Sequence, residues 1–239
     1  MDVLFATIAA LVASVFAVEL WFGWRQRRRL HAEVWSLAFA AYAIATWALV
    51  AGLAFGWSSV TFRLFYFLGA IANIPLLAAG SIALVLSERA ARRFLTPTVL
   101  WVLFGFFATF LAPFVEPLPT EGIPDGSDVF GFTFALEALT LPGPRMFAAI
   151  SGAVGSIIVI GLALVTIVRS FRPNPPLARA NVFIVAGTLA PALGGTLTAL
   201  GESAALSLSL MVGIVLLWIG YRQAVSARRP AQSAPTETS

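Results

Sequence analysis

The sequence predicts an all-α membrane protein, a bundle of seven helices that each cross a lipid bilayer. Of its 239 residues, 59% are hydrophobic and only 11% are charged, which is more apolar surface than a water-soluble domain of this size can cover. The apolar residues are gathered into seven stretches of about 20 residues, the length that crosses the hydrocarbon core as a helix. Because a bilayer offers no water to backbone amides, such stretches form helices.

The predicted helices are connected by short turns, with one exception. They cover residues 3–24, 34–55, 62–86, 94–115, 146–168, 181–200 and 204–221. The first lacks the basic start of a signal peptide and is too long for one, so we expect it to be retained. The second ends at a turn around Trp57, whose indole prefers the membrane interface. The fourth carries Pro97 in its first turn, where a missing amide does no harm.

Residues 116–145 are the only long connection between predicted helices. They contain five acids, several prolines and glycines, and an apolar middle at 129–139 that is too short to cross a bilayer. We expect this extracytoplasmic loop to lie along the membrane interface or to form a re-entrant segment. The basic tail at 222–239 is expected to be disordered.

The arginines predict the orientation of the bundle. All 15 basic residues are arginines, and with seven helices every one except Arg63 and Arg145 falls on the same side of the membrane. Positively charged residues are retained on the cytoplasmic side. The sequence therefore predicts a multi-pass protein of the cell membrane, with its N-terminus outside and its C-terminus in the cytoplasm.

The sixth predicted helix carries a polar face that contact with lipid would not require. Asn181, Thr188 and Gly195 recur every seven residues, so they share one face of a helix. Such a face lines a cavity or pathway, or it is the kind of small and polar surface through which membrane helices pack.

The third predicted helix has a second face of the same kind. Tyr66, Asn73 and Gly80 are also spaced by seven residues, with Gly69 in register. We take Tyr66 and Asn73, together with the three residues of the sixth helix, as the candidate ligand-binding or pathway face. The third and sixth helices are accordingly expected near the centre of the bundle.

Three charged residues fall inside or at the ends of predicted helices. Glu19 lies about one turn inside the cytoplasmic boundary of the first helix, within reach of Arg169 or Arg222. Arg63 and Glu202 lie near the outer ends of the third and sixth helices. Because a charge in hydrocarbon costs about 3 kcal/mol or more and usually has a partner, we expect Arg63 to pair with Glu202. The alternative is that each side chain extends to the lipid headgroups.

The residue types that are missing exclude several classes of protein. Cysteine and lysine do not occur, so disulfides, thiolate sites and a retinal Schiff base are excluded. The single histidine, His31, excludes bis-histidine haem and multi-histidine zinc sites. No nucleophile has a nearby base in the sequence, and the arginines cluster beside helices as orienting residues do. We therefore expect no catalysis, no cofactor, no bound metal and no nucleic acid partner.

Three segments carry a resemblance to a known family. They are residues 61–84, 118–130 and 143–160, which read TFRLFYFLGAIANIPLLAAGSIAL, LPTEGIPDGSDVF and GPRMFAAISGAVGSIIVI. The chain resembles a family of small bacterial integral membrane proteins for which no activity is known. The resemblance implies seven helices and carries no functional residue. In helix count the chain is also similar to the seven-helix input domains of sensor histidine kinases.

These observations favour a non-enzymatic accessory or sensory module. We expect it to bind a small apolar or lipid ligand, or a membrane partner, between the third and sixth helices. The alternative is a small-solute transporter with a pathway through the same faces. A repeat of helices one to three in helices five to seven would favour the transporter, and residues 4–18 match 146–160 at five of fifteen positions. The lipid bilayer, and a second copy or another membrane protein, are the expected partners.

Overall fold

The protein is almost entirely helical. Its structure, a computed structural model, describes residues 1–119, 122–199 and 203–227. Within these ranges seven helices are long and apolar enough to cross a membrane, which confirms the all-α class. We call them spans, in chain order: Asp2–Arg27, Leu30–Phe55, Ser59–Val85, Glu88–Leu111, Pro144–Ser170, Pro175–Ala199 and Ser203–Ala227.

Several spans extend beyond their predicted bounds into charged sequence. The fourth begins at Glu88 and not at residue 94, after Ser87, whose hydroxyl accepts a hydrogen bond from the amide of Ala90. Pro97 therefore lies in the helix interior and not in the first turn. The seventh span continues to Ala227, so the prediction that residues 222–227 are disordered is wrong, while 228–239 lie outside the described residues. Hydropathy falls at charged residues, but arginine and glutamine are good helix formers.

The third span is interrupted by a π-helical segment. It consists of α-helix Ser59–Tyr66, π-helix Phe67–Ala72 and α-helix Asn73–Val85. The amide of Asn73 donates to the carbonyl oxygen of Leu68, five residues earlier. A π-turn holds one extra residue, so a residue beyond it lies about 100° away from where seven-residue counting across the turn predicts it. The seven-residue spacing of the third helix is therefore not one straight face, and Gly80 packs against the indole of Trp35.

Six of the seven spans form a ring. The first packs against the second and the seventh, the second against the third, the third against the fifth, the fifth against the sixth, and the sixth against the seventh. The fourth lies outside the ring, against the third and the fifth. The third and sixth spans therefore face the interior from different sides, and the fifth span packs against both of them.

The sixth and seventh spans pack backbone against backbone. A Cβ atom on Gly187 would lie 2.8 Å from the carbonyl oxygen of Gly213, and one on Gly220 would lie 2.8 Å from the carbonyl oxygen of Ala180. Only glycine allows so close an approach, which is typical of contacts between membrane helices. Part of the small-residue content of the sixth span therefore serves packing against the seventh.

The long connection folds over one end of the ring. It contains a short helix, Gly126–Val129, and an antiparallel hairpin of strands Thr133–Leu136 and Leu139–Pro142, neither of which we predicted. Phe130 is fully buried against Phe62 and Tyr66 of the third span. The apolar middle of the loop thus divides into an anchor on the third span and a hairpin. Strands of four residues are too short for a clear alternation of polar and apolar residues.

Candidate functional site

A cavity of about 360 Å³ lies inside the ring. Its walls come from the second, third, fifth, sixth and seventh spans, and residues 124–126 of the loop line one end. It reaches the middle of the bundle, because Asn73 and Thr188 lie near the midpoints of the third and sixth spans. Cavities of about 300–1,000 Å³ are the usual size of small-molecule sites.

The structure brings together most of the candidate face chosen from the sequence. The predicted residues that line the cavity are Tyr66, Asn73, Thr188 and Gly195. Asn181 does not line it, and its side-chain nitrogen donates to the carbonyl oxygen of Leu177 at 2.9 Å within its own helix. The two polar faces thus meet across one cavity in their middle parts and toward the loop, while the sixth span near Asn181 is packed.

The carboxamide oxygen of Asn73 has no hydrogen-bond partner within residues 1–119, 122–199 and 203–227. Its side chain is buried, with the residue 5% exposed, and Oδ1 has no contact with solvent. An unpaired buried amide costs about 1–3 kcal/mol, and native proteins leave few of them. Asn73 also follows directly after the π-helical segment, a feature that is frequent at functional sites. This amide is therefore placed to bind something inside the cavity.

Other hydroxyl groups of the lining already donate to the protein. Tyr42 donates to the carbonyl oxygen of Leu210 at 2.8 Å, and Thr188 donates to that of Ile184 at 2.8 Å. Thr46, one turn after Tyr42, donates within its own helix. Each of these oxygens can still accept a hydrogen bond. We did not predict Tyr42 or Thr46, and their spacing of four residues in an otherwise apolar helix is the signal that would have found them.

The lining has one acidic side chain, Asp125, and no basic one among the described residues. Asp125 lies at the loop end, where Oδ1 accepts a hydrogen bond from the amide of Ser127 at 2.7 Å. The remaining lining is predominantly apolar and includes aromatic rings of the second and third spans, Phe39 and Phe65. A ligand in the middle of the bundle therefore meets apolar surface and neutral polar groups.

An aromatic cluster closes the cavity toward the arginine-rich end of the bundle. The floor of the cavity consists of Phe39, Leu77 and Leu217, which also line a small pocket beneath it. Below this floor the ring of Phe16 lies 4.2 Å from that of Phe39 and 5.2 Å from that of Tyr221, between centroids. The indole of Trp35 donates to the carbonyl oxygen of Leu77 at 3.1 Å. This packing separates the cavity from the other end of the ring.

The side of the cavity between the fifth and sixth spans is open. Gly152 and Gly195 both line the cavity, and a Cβ atom on either would meet nothing within 4 Å. Ala192, which also lines it, is exposed. In a bilayer, this opening between two spans would face lipid.

Arg63 binds the end of the fourth span. Its guanidinium donates to the carbonyl oxygens of Thr109 and Ala112, the latter at 2.9 Å, and lies 4.4 Å from the centre of the Phe114 ring. Glu202, its predicted partner, lies outside the described residues, so the ion pair stays a prediction. The last carbonyl groups of a helix have no partner within the helix, and Arg63 supplies donors to them.

Glu19 lies at the opposite end of the bundle, away from the cavity. Its carboxylate accepts a hydrogen bond from the indole of Trp218 at 2.8 Å and lies 4.0 Å from Nε of Arg222, one of the two arginines expected within its reach. The side chains of Glu19 and Arg222 are 38% and 62% exposed, and exposed ion pairs contribute about 0–1 kcal/mol. Glu19 therefore connects the first and seventh spans and has no part in the candidate site.

Within the described residues, the fold is a helical bundle with seven spans and an internal, mostly apolar cavity. No protein family, no curated protein sequence and no solved structure matches the chain. The resemblance to small bacterial membrane proteins therefore stays a prediction, and the function has to be argued from the cavity.

Proposed function

We propose that the chain is a non-enzymatic accessory or sensory membrane protein that binds a small apolar or lipid-like ligand inside the ring. One observation carries the proposal, the combination of an apolar cavity of about 360 Å³ with the unpaired amide of Asn73 in its wall. Each square ångström of apolar surface removed from water contributes about 25 cal/mol. The amide adds a hydrogen bond that would orient the ligand.

The proposal includes seven crossings of the cell membrane, with the N-terminus outside. Insertion into a membrane is supported by the apolar exterior of the bundle. Only 22% of the most apolar window of the fourth span is buried, and 28% of that of the fifth. Ile157 is 71% exposed and Phe104 63% exposed, and soluble monomers rarely expose apolar patches of this extent. With the arginine-rich end in the cytoplasm, the cavity occupies the extracytoplasmic half of the bundle.

The chemistry of the lining favours binding over catalysis. Its described residues include no histidine or lysine, and the carboxylate of Asp125 lies at the loop end, away from the amide of Asn73. General acid–base catalysis needs a group of suitable pKa within hydrogen-bond reach of the reacting atom. A neutral carboxamide and aliphatic hydroxyls instead recognise a polar group without exchanging protons.

A small-solute transporter is the second candidate, and one observation favours it. The order of neighbours in the ring is the same for spans one to three as for spans five to seven, with the fourth span outside. Parallel repeats and a site at the midplane are features of several transporter folds. Transport would require the floor at Phe39, Leu77 and Leu217 to open. Uptake of labelled solutes into proteoliposomes, beyond that into protein-free vesicles, would support the transporter and contradict the accessory role.

We expect Gly152→Leu to block the cavity without disturbing the fold, because its side chain would grow into open space inside the site. The test is photolabelling in lipid nanodiscs with an alkyl diazirine, with and without excess unlabelled decane. Labelling inside a cavity saturates and is competed, whereas labelling of lipid-facing surfaces is not. The competed fraction should fall about tenfold in the variant, which corresponds to a loss of about 1.4 kcal/mol.

The matched control is Gly161→Leu on the same span. Gly161 also has nothing within 4 Å of an added Cβ atom, but it does not line the cavity. Competed labelling should be unchanged in this variant, and the labelled peptides of the unchanged protein should come from the third and sixth spans. Absence of competed labelling in the unchanged protein, or an equal loss in both variants, would contradict the proposal.

A further inference from the structure

We infer that the ligand is an uncharged amphiphile, with an apolar body and one hydroxyl or amide group that hydrogen bonds to Asn73. The inference rests on the proposed function and adds to it the chemistry of the ligand's polar end. Three properties of the cavity lead to it: the charges of its lining, the hydrogen-bonding capacity of Asn73 and the position of that residue along the cavity.

The charges of the lining disfavour a charged ligand group in the middle of the bundle. No basic side chain among the described lining residues is available to an anion. The one carboxylate, Asp125, lies at the loop end and already accepts a hydrogen bond from the amide of Ser127. Burying an unpaired charge costs far more than burying a neutral polar group. A neutral group is therefore the one that this site accepts.

The hydrogen-bonding capacity of Asn73 defines the neutral group further. A carboxamide offers two donors and one acceptor, and the acceptor of Asn73, Oδ1, is unpaired within the part of the chain that the structure describes. A hydroxyl or primary amide both donates and accepts, so it can satisfy the carbonyl and the NH₂ of Asn73 together. An ether or ester has no hydrogen to donate and would leave Oδ1 unpaired.

Neighbouring side chains add polar atoms at the same level. Gly155 on the fifth span contacts Ile74, so the next residue, Ser156, lies near the level of Asn73, and both line the cavity. Thr188 completes this belt from the sixth span, where its oxygen can accept a hydrogen bond. The polar groups thus surround the middle of the cavity, while the floor beneath is apolar.

The position of Asn73 orients the ligand. The polar group would bind at the midplane, and the apolar body would extend along the cavity toward the opening beside Gly152 and Gly195. An amphiphile dissolved in the bilayer could enter between the fifth and sixth spans with its polar end first. The protein would then enclose the polar end of the ligand, which the hydrocarbon of the bilayer solvates poorly.

The experiment uses photoreactive ten-carbon probes that differ only in one terminal group. The series consists of decane, decanol, decanamide, decyl sulfonate and decyl trimethylammonium, the last two charged at every pH. Competed labelling of the full chain in nanodiscs gives an apparent affinity for each probe. We expect decanol and decanamide to bind about tenfold more tightly than decane, as for one hydrogen bond to a buried amide, and the two charged probes to bind more weakly than decane.

Asn73→Leu should abolish the preference for decanol over decane and leave competed labelling by decane in place. Asn181→Leu is the matched control, because Asn181 is a buried asparagine that does not line the cavity, and it should keep the preference. The order of affinities in the unchanged protein needs no variant, so the test stands even if Asn73→Leu does not fold.

Three results would overturn the inference. Tightest binding of a charged probe, equal binding of decanol and decane, or a preference that persists in a folded Asn73→Leu variant would each do so. Equal binding of decanol and decane, with competition retained, would leave the proposed function standing. Loss of all competed labelling would contradict the proposed function itself.

Discussion

The guanidinium of Arg63, on the third span, donates hydrogen bonds to carbonyl groups at the end of the fourth span. Hydrogen bonds from charged donors contribute about 1.5–3 kcal/mol each when shielded, and less where solvent screens them. Arg63 makes two such bonds to the last turn of the fourth span while it stacks on Phe114. Since the fourth span lies outside the ring, this contact adds to the apolar cluster of Ala108, Ala112 and Phe114 that holds the same end of the span.

We predict that Arg63→Ala lowers the free energy of unfolding by about 2 kcal/mol. Arg63→Lys should recover part of the loss, because lysine offers a point charge without the planar fork that reaches two carbonyl groups. Arg145→Ala is the control, since Arg145 also stacks on a ring, that of Phe132 at 4.6 Å, but its hydrogen bond within the described structure, to the carbonyl oxygen of Ser127, is long at 3.5 Å. Thermal unfolding in one detergent measures all three.

Exchanging the charges at Arg63 and Glu202 distinguishes the contact of Arg63 with the fourth span from the predicted ion pair. If Arg63 acts on the fourth span, the Arg63→Glu/Glu202→Arg double variant should lose as much thermal stability as Arg63→Glu alone. Recovery of stability in the double variant would show that Arg63 and Glu202 pair, and would contradict the role in completing the helix end.

At the same scale, the sequence identified polar residues but could not separate those that line a cavity from those that are satisfied by their own helix. Asn73 and Asn181 occur in similar apolar surroundings in the sequence. The amide of Asn181 binds a carbonyl oxygen one turn away, whereas that of Asn73 has no such partner in the described structure. The difference depends on side-chain rotamers and on the neighbouring spans, which periodicity does not report.

At the scale of elements, the π-helical segment Phe67–Ala72 sets which residues of the third span face the cavity. Tyr66 and Asn73 line it, while Gly80, one further heptad along, packs against Trp35. Counting in steps of seven assumes an unbroken α-helix, and the extra residue invalidates it between Tyr66 and Asn73. Gly80 does not line the cavity because it lies about one turn beyond Leu77, which belongs to the cavity floor. The positions of the spans could be predicted because hydropathy sums over about 20 residues, but a single-residue change in register leaves no such signal.

Deletion of Ala70 should remove the extra residue of the π-turn and let the third span continue as an α-helix. Because the π-turn accommodates its extra residue without rotating the helices on either side, Tyr66 and Asn73 should keep their facing in the shortened helix. We therefore expect helical content and the preference for decanol to be retained. Circular dichroism and the probe series measure the two effects. Deletion of Ala83, in the α-helical part of the span, should instead lower the thermal stability, and equal behaviour of the two deletions would contradict a special role of the π-turn.

At the scale of the whole molecule, the ring follows from where close helix contacts are possible. Glycines let the sixth and seventh spans touch through Gly187 and Gly213, and Gly155 lets the fifth reach Ile74 on the third. Where the small residues of the fifth and sixth spans meet no neighbour, at Gly152 and Gly195, the same residue type leaves a cavity. Composition therefore predicted how many spans there are, whereas their order around the ring depends on which small residues find partners.

Orientation is the remaining property of the whole molecule, and the lack of native cysteine makes it directly testable. Thr140 on the hairpin and Ser226 near the end of the seventh span are both exposed, so each can be changed to a single cysteine. If the arginine-rich end is cytoplasmic, a membrane-impermeant maleimide should label Thr140→Cys in intact expressing cells and reach Ser226→Cys only after permeabilisation. The reverse pattern would place the cavity in the cytoplasmic half of the bundle. Labelling of both positions in intact cells would contradict this topology, because the three spans between Thr140 and Ser226, the fifth to the seventh, must leave the two sites on opposite sides of the membrane.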